Sequence, residues 1–181
     1  PDTNFAIIDG FVDAPNVASL LYAEHEGSFL VGAAAGMKTG ANVIGFIGGV
    51  NFPLINKFEA GFAAGVAQTN PDATVLVEYV TEPPDFDGFN APDRGREIAL
   101  SMYEKGADII YQAAGGTGFG VFEASKSYTE DSGSKVWAIG VDSDQYNVVD
   151  DSVKEYLLTS MMKNMDVSVF DVIKAEGEGN F

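Results

Sequence analysis

Short polar side chains and aromatic rings follow several apolar, strand-like runs of the sequence, and these are the residues that could do chemistry. Amides, hydroxyls and carboxylates dominate the set, and basic groups are few. Such a set suits a neutral polyol that carries a flat ring better than it suits a phosphate. The candidates, in chain order, are Asn16, Asn51, Gly115, Gly116, Thr117, Phe119, Asp142, Asp144 and Lys163.

Each candidate also has a purely structural interpretation. Asp142 and Asp144 are typical of residues that cap a following segment, and a ring such as Phe119 is more often part of a core. Lys163 is commonly a surface cation, but it stands where a helix is predicted to begin, and the helix dipole disfavours positive charge there. That mismatch favours a role for Lys163, such as pairing with Asp142.

The glycine-rich stretch "YQAAGGTGFGVFEASK" separates a strand-like run from a helix-like run. Its glycines either permit a tight strand-to-helix turn or let a ligand approach the backbone. The spacing of Gly116, Gly118 and Gly120 is G-x-G-x-G, whereas a dinucleotide site has G-x-G-x-x-G in the first strand–helix turn. The pattern therefore argues against a dinucleotide cofactor.

Patterns typical of enzymes are absent from the sequence. It contains no G-x-x-x-x-G-K-[ST] P-loop, no G-x-S-x-G nucleophile elbow, no cysteine and only one histidine, His25. Asp142 and Asp144 have no evident proton-transfer partner. We expect no enzymatic activity, no cofactor and no bound metal.

The composition restricts the partners of the chain. Its 181 residues are 46% hydrophobic, which is enough for a core, and they carry a net charge of −17. Nucleic acids need a basic face, so we expect no nucleic-acid partner. The apolar run around 29–37 is too short to span a bilayer, and its Gly32 and Gly36 favour close helix packing instead.

Apolar β-branched runs alternate with helix-length periodic stretches. This alternation predicts an α/β fold with a parallel sheet, helices on both faces, and a ligand beyond the carboxyl ends of the strands. Asp93 is a predicted N-cap and Gly106 a predicted C-cap. The predicted strands are 4–8, 16–23, 42–49, 74–80, 107–114, 135–145 and 156–162, and the predicted helices are 25–40, 53–70, 93–106, a helix from 121, and 164–176.

Six segments resemble, in chain order, the basic membrane protein family of ABC-transporter solute-binding lipoproteins. These segments are "FAIIDG", "NVASLLYAEHEGSFLVGAAAGM", "GFIGGVNFPLINKFEAGFAAG", "GADIIYQAAGGTGFGVFEASK", "AIGVDSDQ" and "LTSMMKNMDVSVFDVI". The resemblance implies an extracytoplasmic protein that binds a purine nucleoside and delivers it to an ABC permease. It implies a lipid anchor as the only membrane attachment, and a monomer.

The family fold implied by this resemblance is the type I periplasmic binding protein, whose two lobes clamp the ligand between them. Family members are much longer, so the resemblance implies a truncated fold with one near-complete lobe and part of the other. The family's first strands, its lipid-bearing cysteine and its C-terminal strands would lie outside these residues. The implied organisation is 1–40 in lobe one, 41–145 as lobe two, 146–162 as a crossover and 163–181 as a returning helix of lobe one.

The resemblance also implies roles for most candidates. Asp142 matches the family's ribose-binding carboxylate, and Lys163 matches the lysine near the ribose. Asn16 and Asn51 match polar positions that contact the base or sugar, although Asp is common in the family where Asn51 stands. Phe119 is the candidate for a stacking ring, and Gly115 and Gly116 bring backbone amides close to the ligand.

Two further interpretations stay open. A receptor or regulator of the same fold would sense the ligand instead of delivering it. A nucleotide-dependent enzyme that uses the glycine loop is the third interpretation and the least supported. The acidic loop 81–92 is longer than the family's usual "DP" turn, and the sequence suggests no function for it.

Overall fold

The computed structural model describes residues 3–181 and shows the alternation of strands and helices that the sequence predicts. Three single-turn 3₁₀ segments, at Asp87–Phe89, Gly115–Thr117 and Gln145–Asn147, lie between the larger elements. The strands are β1 (Phe5–Ile8), β2 (Val17–Leu20), β3 (Val43–Val50), β4 (Thr74–Thr81), β5 (Ile109–Ala113), β6 (Trp137–Asp142) and β7 (Leu157–Met162). The helices are α1 (Glu24–Lys38), α2 (Pro53–Thr69), α3 (Pro92–Glu104), α4 (Gly118–Ser132), α5 (Asp151–Lys154) and α6 (Met165–Gly177).

The larger of two compact units comprises Glu24–Met162 and contains a five-stranded sheet. Its strands lie in the order β4-β3-β5-β6-β7, and all neighbours are parallel. Each strand before β7 is followed by a crossover to the next strand of the chain, which is how parallel strands must be connected. The predicted α/β fold with a parallel sheet is confirmed.

Two apolar cores cover the two faces of this sheet. Ile47 and Ile110 belong to the core that contains residues of α3 and α4. Phe46 and Tyr111, their neighbours along β3 and β5, belong to the core that contains residues of α1 and α2. Successive side chains of a strand point to opposite faces, so both faces of these central strands must be apolar.

Helices α1 and α2 approach each other closely through glycines on both helices. A Cβ on Gly32 would overlap the backbone of Phe62, and a Cβ on Gly61 would overlap the backbone of His25. The predicted use of Gly32 for helix packing is therefore confirmed. Because α1 packs on α2, it belongs to the larger unit, which begins at Glu24. The division into lobes stays a prediction.

Helix ends show where local reasoning succeeds and fails. The predicted N-cap Asp93 is wrong, since α3 already begins at Pro92 with Ala91 in the capping position. A proline is well suited to the first turn because its φ is already helical and its missing N–H is not needed. The observed C-cap is Lys105, one residue before the predicted C-cap Gly106, and Gly106 follows it with φ +96°.

The smaller unit is formed by the chain up to Ala23 together with Lys163–Phe181. Strands β1 and β2 pair in parallel, with Phe5 opposite Val17 and Ile8 opposite Leu20. The Asn4 amide donates to the Glu176 carboxylate (2.7 Å), which joins the strand to α6. Within residues 3–181, no helix is both long and apolar enough to cross a membrane.

Candidate functional site

Four of the five parallel strands of the larger unit end in the segments that carry most of the predicted site. Asn51 follows β3, Glu82 follows β4, Gly115–Thr117 follow β5, and Asp142 ends β6. Because these strands are neighbours in the order β4-β3-β5-β6, their carboxyl ends form one continuous edge. Asn51 and Asp142 stand two strands apart, roughly 10 Å at the usual strand spacing.

Asp142 has an unusual backbone conformation at the end of β6. Its φ is +67°, a left-handed value that aspartate tolerates better than most residues. The left-handed turn ends the strand at this residue, and Asp142 is half-buried. A carboxylate held at this position can accept two hydrogen bonds from a diol.

The glycine loop after β5 packs closely against its surroundings. Gly115 has φ +56°, which favours glycine, and a Cβ on Gly116 would lie 3.3 Å from the Phe89 carbonyl oxygen. Gly118 leaves room for the buried side chain of Gln112, and Gly120 leaves room for the backbone of Pro92. These contacts support the structural interpretation of the glycines, while their contact with a ligand stays a prediction.

Gln112 and Gln145 form a buried pair beneath this loop, and neither is among the predicted site residues. The Gln112 Nε2 donates to Gln145 Oε1 (2.8 Å), which also accepts the Val141 N–H (2.8 Å). The Gln112 Oε1 accepts the Ala114 N–H at 3.1 Å. The sequence does indicate a role for Gln112, because a glutamine inside the apolar run "IIYQAA" must find buried hydrogen-bond partners.

Thr117 is fully buried and its hydroxyl is used within the protein. It donates to the Gly88 carbonyl (2.7 Å) and accepts the Ala91 N–H (2.8 Å). The hydroxyl therefore fixes the end of the acidic loop 81–92 to the glycine loop. This geometry supports a positioning role for Thr117 instead of direct contact with a ligand.

Asp144 has the capping role that was its structural alternative. Its carboxylate accepts the Tyr146 N–H (3.3 Å) and an N–H of the Asn147 amide (2.8 Å). Asp144 also lines a groove along β7 of about 530 Å³, together with Ser160 and Met162. A ligand role for Asp144 stays a prediction.

Phe119 lies in the first turn of α4 and its ring is 44% exposed. It meets Phe122 edge-on, with 6.2 Å between ring centroids. The ring lines a groove of about 360 Å³ with Lys126 and Val149. A half-exposed ring can stack on a flat ligand, so this geometry is compatible with the predicted role.

Three phenylalanines cluster beside Asn51 at the ends of β3 and β4. The Phe52 ring meets Phe86 and Phe89 edge-on, at centroid distances of 5.7 and 6.2 Å. Phe86 is 53% exposed and belongs to the acidic loop. This loop thus adds aromatic surface to the carboxyl edge of the sheet.

In the smaller unit, Asn16 lies at the amino edge of the two-stranded sheet. Asn16 precedes β2, and its Nδ2 donates to the Thr3 carbonyl (2.9 Å) at the amino edge of the two-stranded sheet. Asp9 follows β1 at the opposite edge, about 13 Å away for a four-residue strand. Asn16 and Asp9 therefore lie at opposite edges of the two-stranded sheet, and a ligand role for Asn16 stays a prediction.

Lys163 is buried in the smaller unit and has a charged partner there. Its Nζ lies 2.5 Å from Asp9 Oδ1 and 4.8 Å from the centre of the Tyr22 ring. The Asp9 carboxylate offsets the positive charge that stands just before α6, where the helix dipole is unfavourable. The pairing of Lys163 with Asp142 stays a prediction.

Two observations bear on metal binding and on the titratable groups beneath the site. Among residues 3–181, no group of three or more His, Asp or Glu side chains could hold a metal ion. Burial raises the pKa of the Tyr111 hydroxyl above its usual value, so it remains a neutral partner of Ser28. The edge offers acceptors, amides and rings, which suit binding.

Comparison with known proteins identifies the family. The sequence model of the Bmp family, described as "ABC transporter substrate-binding protein PnrA-like", matches residues 1–181. The chain belongs to this family. Its members are solute-binding proteins and not enzymes, as the sequence predicts, and substrate-binding proteins of ABC transporters are extracytoplasmic.

Two relatives illustrate the match along the whole chain. A "CD4+ T-cell-stimulating antigen" of Listeria monocytogenes is 43% identical over 188 residues, covering 100% of this chain and 51% of the relative. The "ABC transporter nucleoside-binding protein BmpA" of Lactococcus lactis is 36% identical over 189 residues, covering 100% and 52%. The chain thus spans about half the length of the relatives it matches.

Solved structures agree with the fold. An ABC-transporter solute-binding protein from Aeropyrum pernix superposes with a TM-score of 0.84 at 29% identity, covering 98% of this chain and 49% of that one. A protein described as a transcriptional activator of the comK gene from Bacillus halodurans superposes with a TM-score of 0.79 at 26% identity, covering 100% and 57%. The predicted periplasmic-binding-protein-like fold, truncated relative to these proteins, is confirmed.

Proposed function

We propose that this protein is the solute-binding component of an ABC transporter and that it binds a purine nucleoside or a similar ligand. The observation that carries the proposal is the carboxyl edge of the sheet. There, Asp142 and Asn51 flank the glycine loop at a separation that a nucleoside can span. A Bmp relative named as nucleoside-binding supports the same ligand class.

Each end of the ligand has a partner in this proposal. Asp142 accepts hydrogen bonds from the two ribose hydroxyls, and the backbone of Gly115 and Gly116 lies beneath the ligand. Asn51 contacts the base, and Phe119 supplies a stacking surface. In the smaller unit, Lys163 contributes a cation near the ribose, held by Asp9.

The charge of the edge favours nucleosides over nucleotides. Glu82, Asp142 and Asp144 place three carboxylates there, while Arg94, which donates to the Val80 carbonyl (2.7 Å), is a cation near the end of β4. A phosphate ester would meet net negative charge, which disfavours its binding. A neutral nucleoside avoids this repulsion.

The remaining features of the proposal concern the cellular setting. The protein would deliver its ligand to an ABC permease from the extracytoplasmic face of the membrane. It would be held there by a lipid anchor and would act as a monomer. These features follow from membership of the family and are proposals for this chain.

Thermal denaturation with added ligand tests the proposal directly. Guanosine, inosine or adenosine should raise the melting temperature of the full-length protein that the gene encodes, since a ligand that binds the folded state stabilises it. The corresponding monophosphates should not. Unchanged melting curves across all nucleosides would contradict the proposal.

Two substitutions separate the assigned roles. Asp142→Ala removes a charged acceptor of two hydrogen bonds and should cost roughly 2–3 kcal/mol of binding free energy. Lys163→Ala should cost less, because the lysine already has Asp9 as its partner. Equal losses, measured by isothermal titration calorimetry, would show that these roles are wrongly assigned.

A regulatory role is the second candidate, favoured by the similarity to the comK activator structure. A sensor would bind the same ligand without supporting its uptake. Deletion of the gene distinguishes the two functions: loss of labelled nucleoside uptake supports transport. Altered transcription with normal uptake supports sensing.

A further inference from the structure

A chain of hydrogen bonds runs from the side of α2 to Asn51 at the carboxyl edge of the sheet. The Tyr79 hydroxyl donates to the Glu59 carboxylate and accepts from Asn56 Nδ2 (2.8 Å). The same Asn56 nitrogen donates to Asn51 Oδ1 (2.9 Å). Asn51 Nδ2 then donates to Glu82 Oε1 at 2.9 Å.

The two carboxylates at the ends dictate the direction of every hydrogen bond between them. An ionised carboxylate only accepts, so Tyr79 must donate to Glu59 and must accept from Asn56. Only the NH₂ group of Asn56 can donate, and it therefore faces the carbonyl oxygen of Asn51. At the other end, Glu82 independently requires the NH₂ group of Asn51, so both ends give the same orientation.

The protonation of Tyr79 supports this direction. Its partial burial, followed by the hydrogen bond to Glu59, raises the pKa of the Tyr79 hydroxyl well above its usual value. The hydroxyl therefore stays a donor throughout the physiological range. The orientation of the Asn51 amide is then set by its hydrogen-bond partners within the protein and not by solvent.

The orientation leaves one donor and one acceptor side by side at the edge. An amide nitrogen has two N–H groups, and among residues 3–181 Glu82 is the one side chain that accepts from Asn51 Nδ2. Glu82 is exposed and keeps its second oxygen as an acceptor. The exposed Phe86 ring in the same loop adds a surface for a planar group.

We propose that Asn51 and Glu82 select a ligand whose ring carries a lactam, a carbonyl next to a ring N–H. The inference rests on the proposed function and specifies its substrate class: 6-oxopurine nucleosides such as inosine and guanosine. Asn51 donates to the ring carbonyl and Glu82 accepts from the ring N–H. Adenosine presents an amino donor and a ring-nitrogen acceptor at this edge, which is the reverse polarity.

The residues behind Asn51 are positioning residues in this proposal. Tyr79, Asn56 and Glu59 do not touch the ligand, but they keep the Asn51 amide from flipping. A flipped amide would present its oxygen and would accept the amino group of adenosine. Loss of the Tyr79 hydroxyl should therefore lower the ratio of the inosine affinity to the adenosine affinity. Its effect on the free energy of unfolding should be smaller.

Isothermal titration calorimetry of the full-length protein that the gene encodes provides the test. The panel pairs each lactam with its amino counterpart: inosine with adenosine, uridine with cytidine, and hypoxanthine with adenine. The wild-type protein should bind inosine about 10- to 100-fold more tightly than adenosine, the discrimination expected of a two-hydrogen-bond contact to a base edge.

Three variants assign the preference to the hydrogen-bond chain. Asn51→Asp removes the donor and should abolish or reverse the preference, while Asn56 can still donate to the new carboxylate. Tyr79→Phe weakens one end of the hydrogen-bond chain and should lower the inosine-to-adenosine ratio by about 3-fold, because Glu82 still orients the Asn51 amide. Tyr128→Phe is the matched control, because it loses a hydroxyl that donates to the Tyr103 carbonyl (3.2 Å) and should leave the ratio unchanged.

The outcomes separate the inference from the proposed function. Equal binding of inosine and adenosine, or a preference for adenosine, overturns the inference and leaves the proposed function standing. Binding of the lactam member of another pair alone supports the inference and overturns the purine-nucleoside ligand. Absence of binding across the panel overturns both.

Discussion

Gly120 offers a direct test of whether the glycine motif is a packing device. It lies in the first turn of α4, and a Cβ built on it would come within 3.0 Å of the Pro92 carbonyl, a distance that real Cβ atoms essentially never show. The obstacle is backbone at the start of α3. Gly120→Ala can be accommodated only if α3 and α4 move apart.

Two opposing contributions set the magnitude for Gly120→Ala. Alanine gains up to about 1 kcal/mol over glycine in helix propensity. Overpacking costs about 1–3 kcal/mol, and a backbone obstacle places this site at the upper end. The net destabilisation is then about 2 kcal/mol, which lowers the melting temperature by about 4–8 °C for a chain of this size.

Circular dichroism melting curves measure this effect, with Gly177→Ala as the control. Gly177 ends α6, and no heavy atom lies within 4 Å of a Cβ built on it. The control should melt at the wild-type temperature or slightly above. If Gly120→Ala also melts at or above that temperature, the close approach of α3 and α4 is not needed and the packing interpretation is refuted.

Three further predictions concern buried polar groups. Thr117→Val removes both hydrogen bonds of the hydroxyl and should cost about 2–4 kcal/mol in urea denaturation, with Thr117→Ser retaining most of the stability. Gln145→Leu leaves the Gln112 amide without its acceptor and should cost at least about 1–3 kcal/mol, whereas an unchanged urea midpoint would contradict the buried pair. Burial raises the pKa of Tyr103 and Tyr111, so their contribution to stability is complete below about pH 10, the value for an unfolded tyrosine, and is lost above it. Ultraviolet difference spectra should show these two ionising only as the chain unfolds.

The strands of the larger unit could be predicted because their apolar runs are continuous. Both faces of β3 and β5 are covered, so segments such as "NVIGFIGG" need no polar alternation, and they are too short and too β-branched for helices. The glycines and prolines between the elements also indicated where strands and helices begin and end. Helix α4 was the exception, since it begins at Gly118, three residues before the predicted start, where helix propensity is low.

The candidate site was less predictable, for a reason that lies in topology. Residues that follow strands converge only when those strands are neighbours and parallel, which Asn51, Gly115 and Asp142 satisfy. Asn16 precedes its strand, so it lies at the other edge of the small sheet. The position of Asn16 in the chain does not predict its edge, because the chain passes both edges of a parallel sheet at every crossover.

The contacts of the acidic loop 81–92 explain its length. Thr117 fixes Gly88 and Ala91, and the Phe89 carbonyl lies against Gly116, so the acidic loop and the glycine loop hold each other in place. A shorter turn after β4 could not reach the glycine loop and would present neither Glu82 nor Phe86 as observed. The length of this loop is therefore linked to the polarity of the edge, and the loop that the sequence left without a function becomes the part of the site that we expect to determine which base is bound.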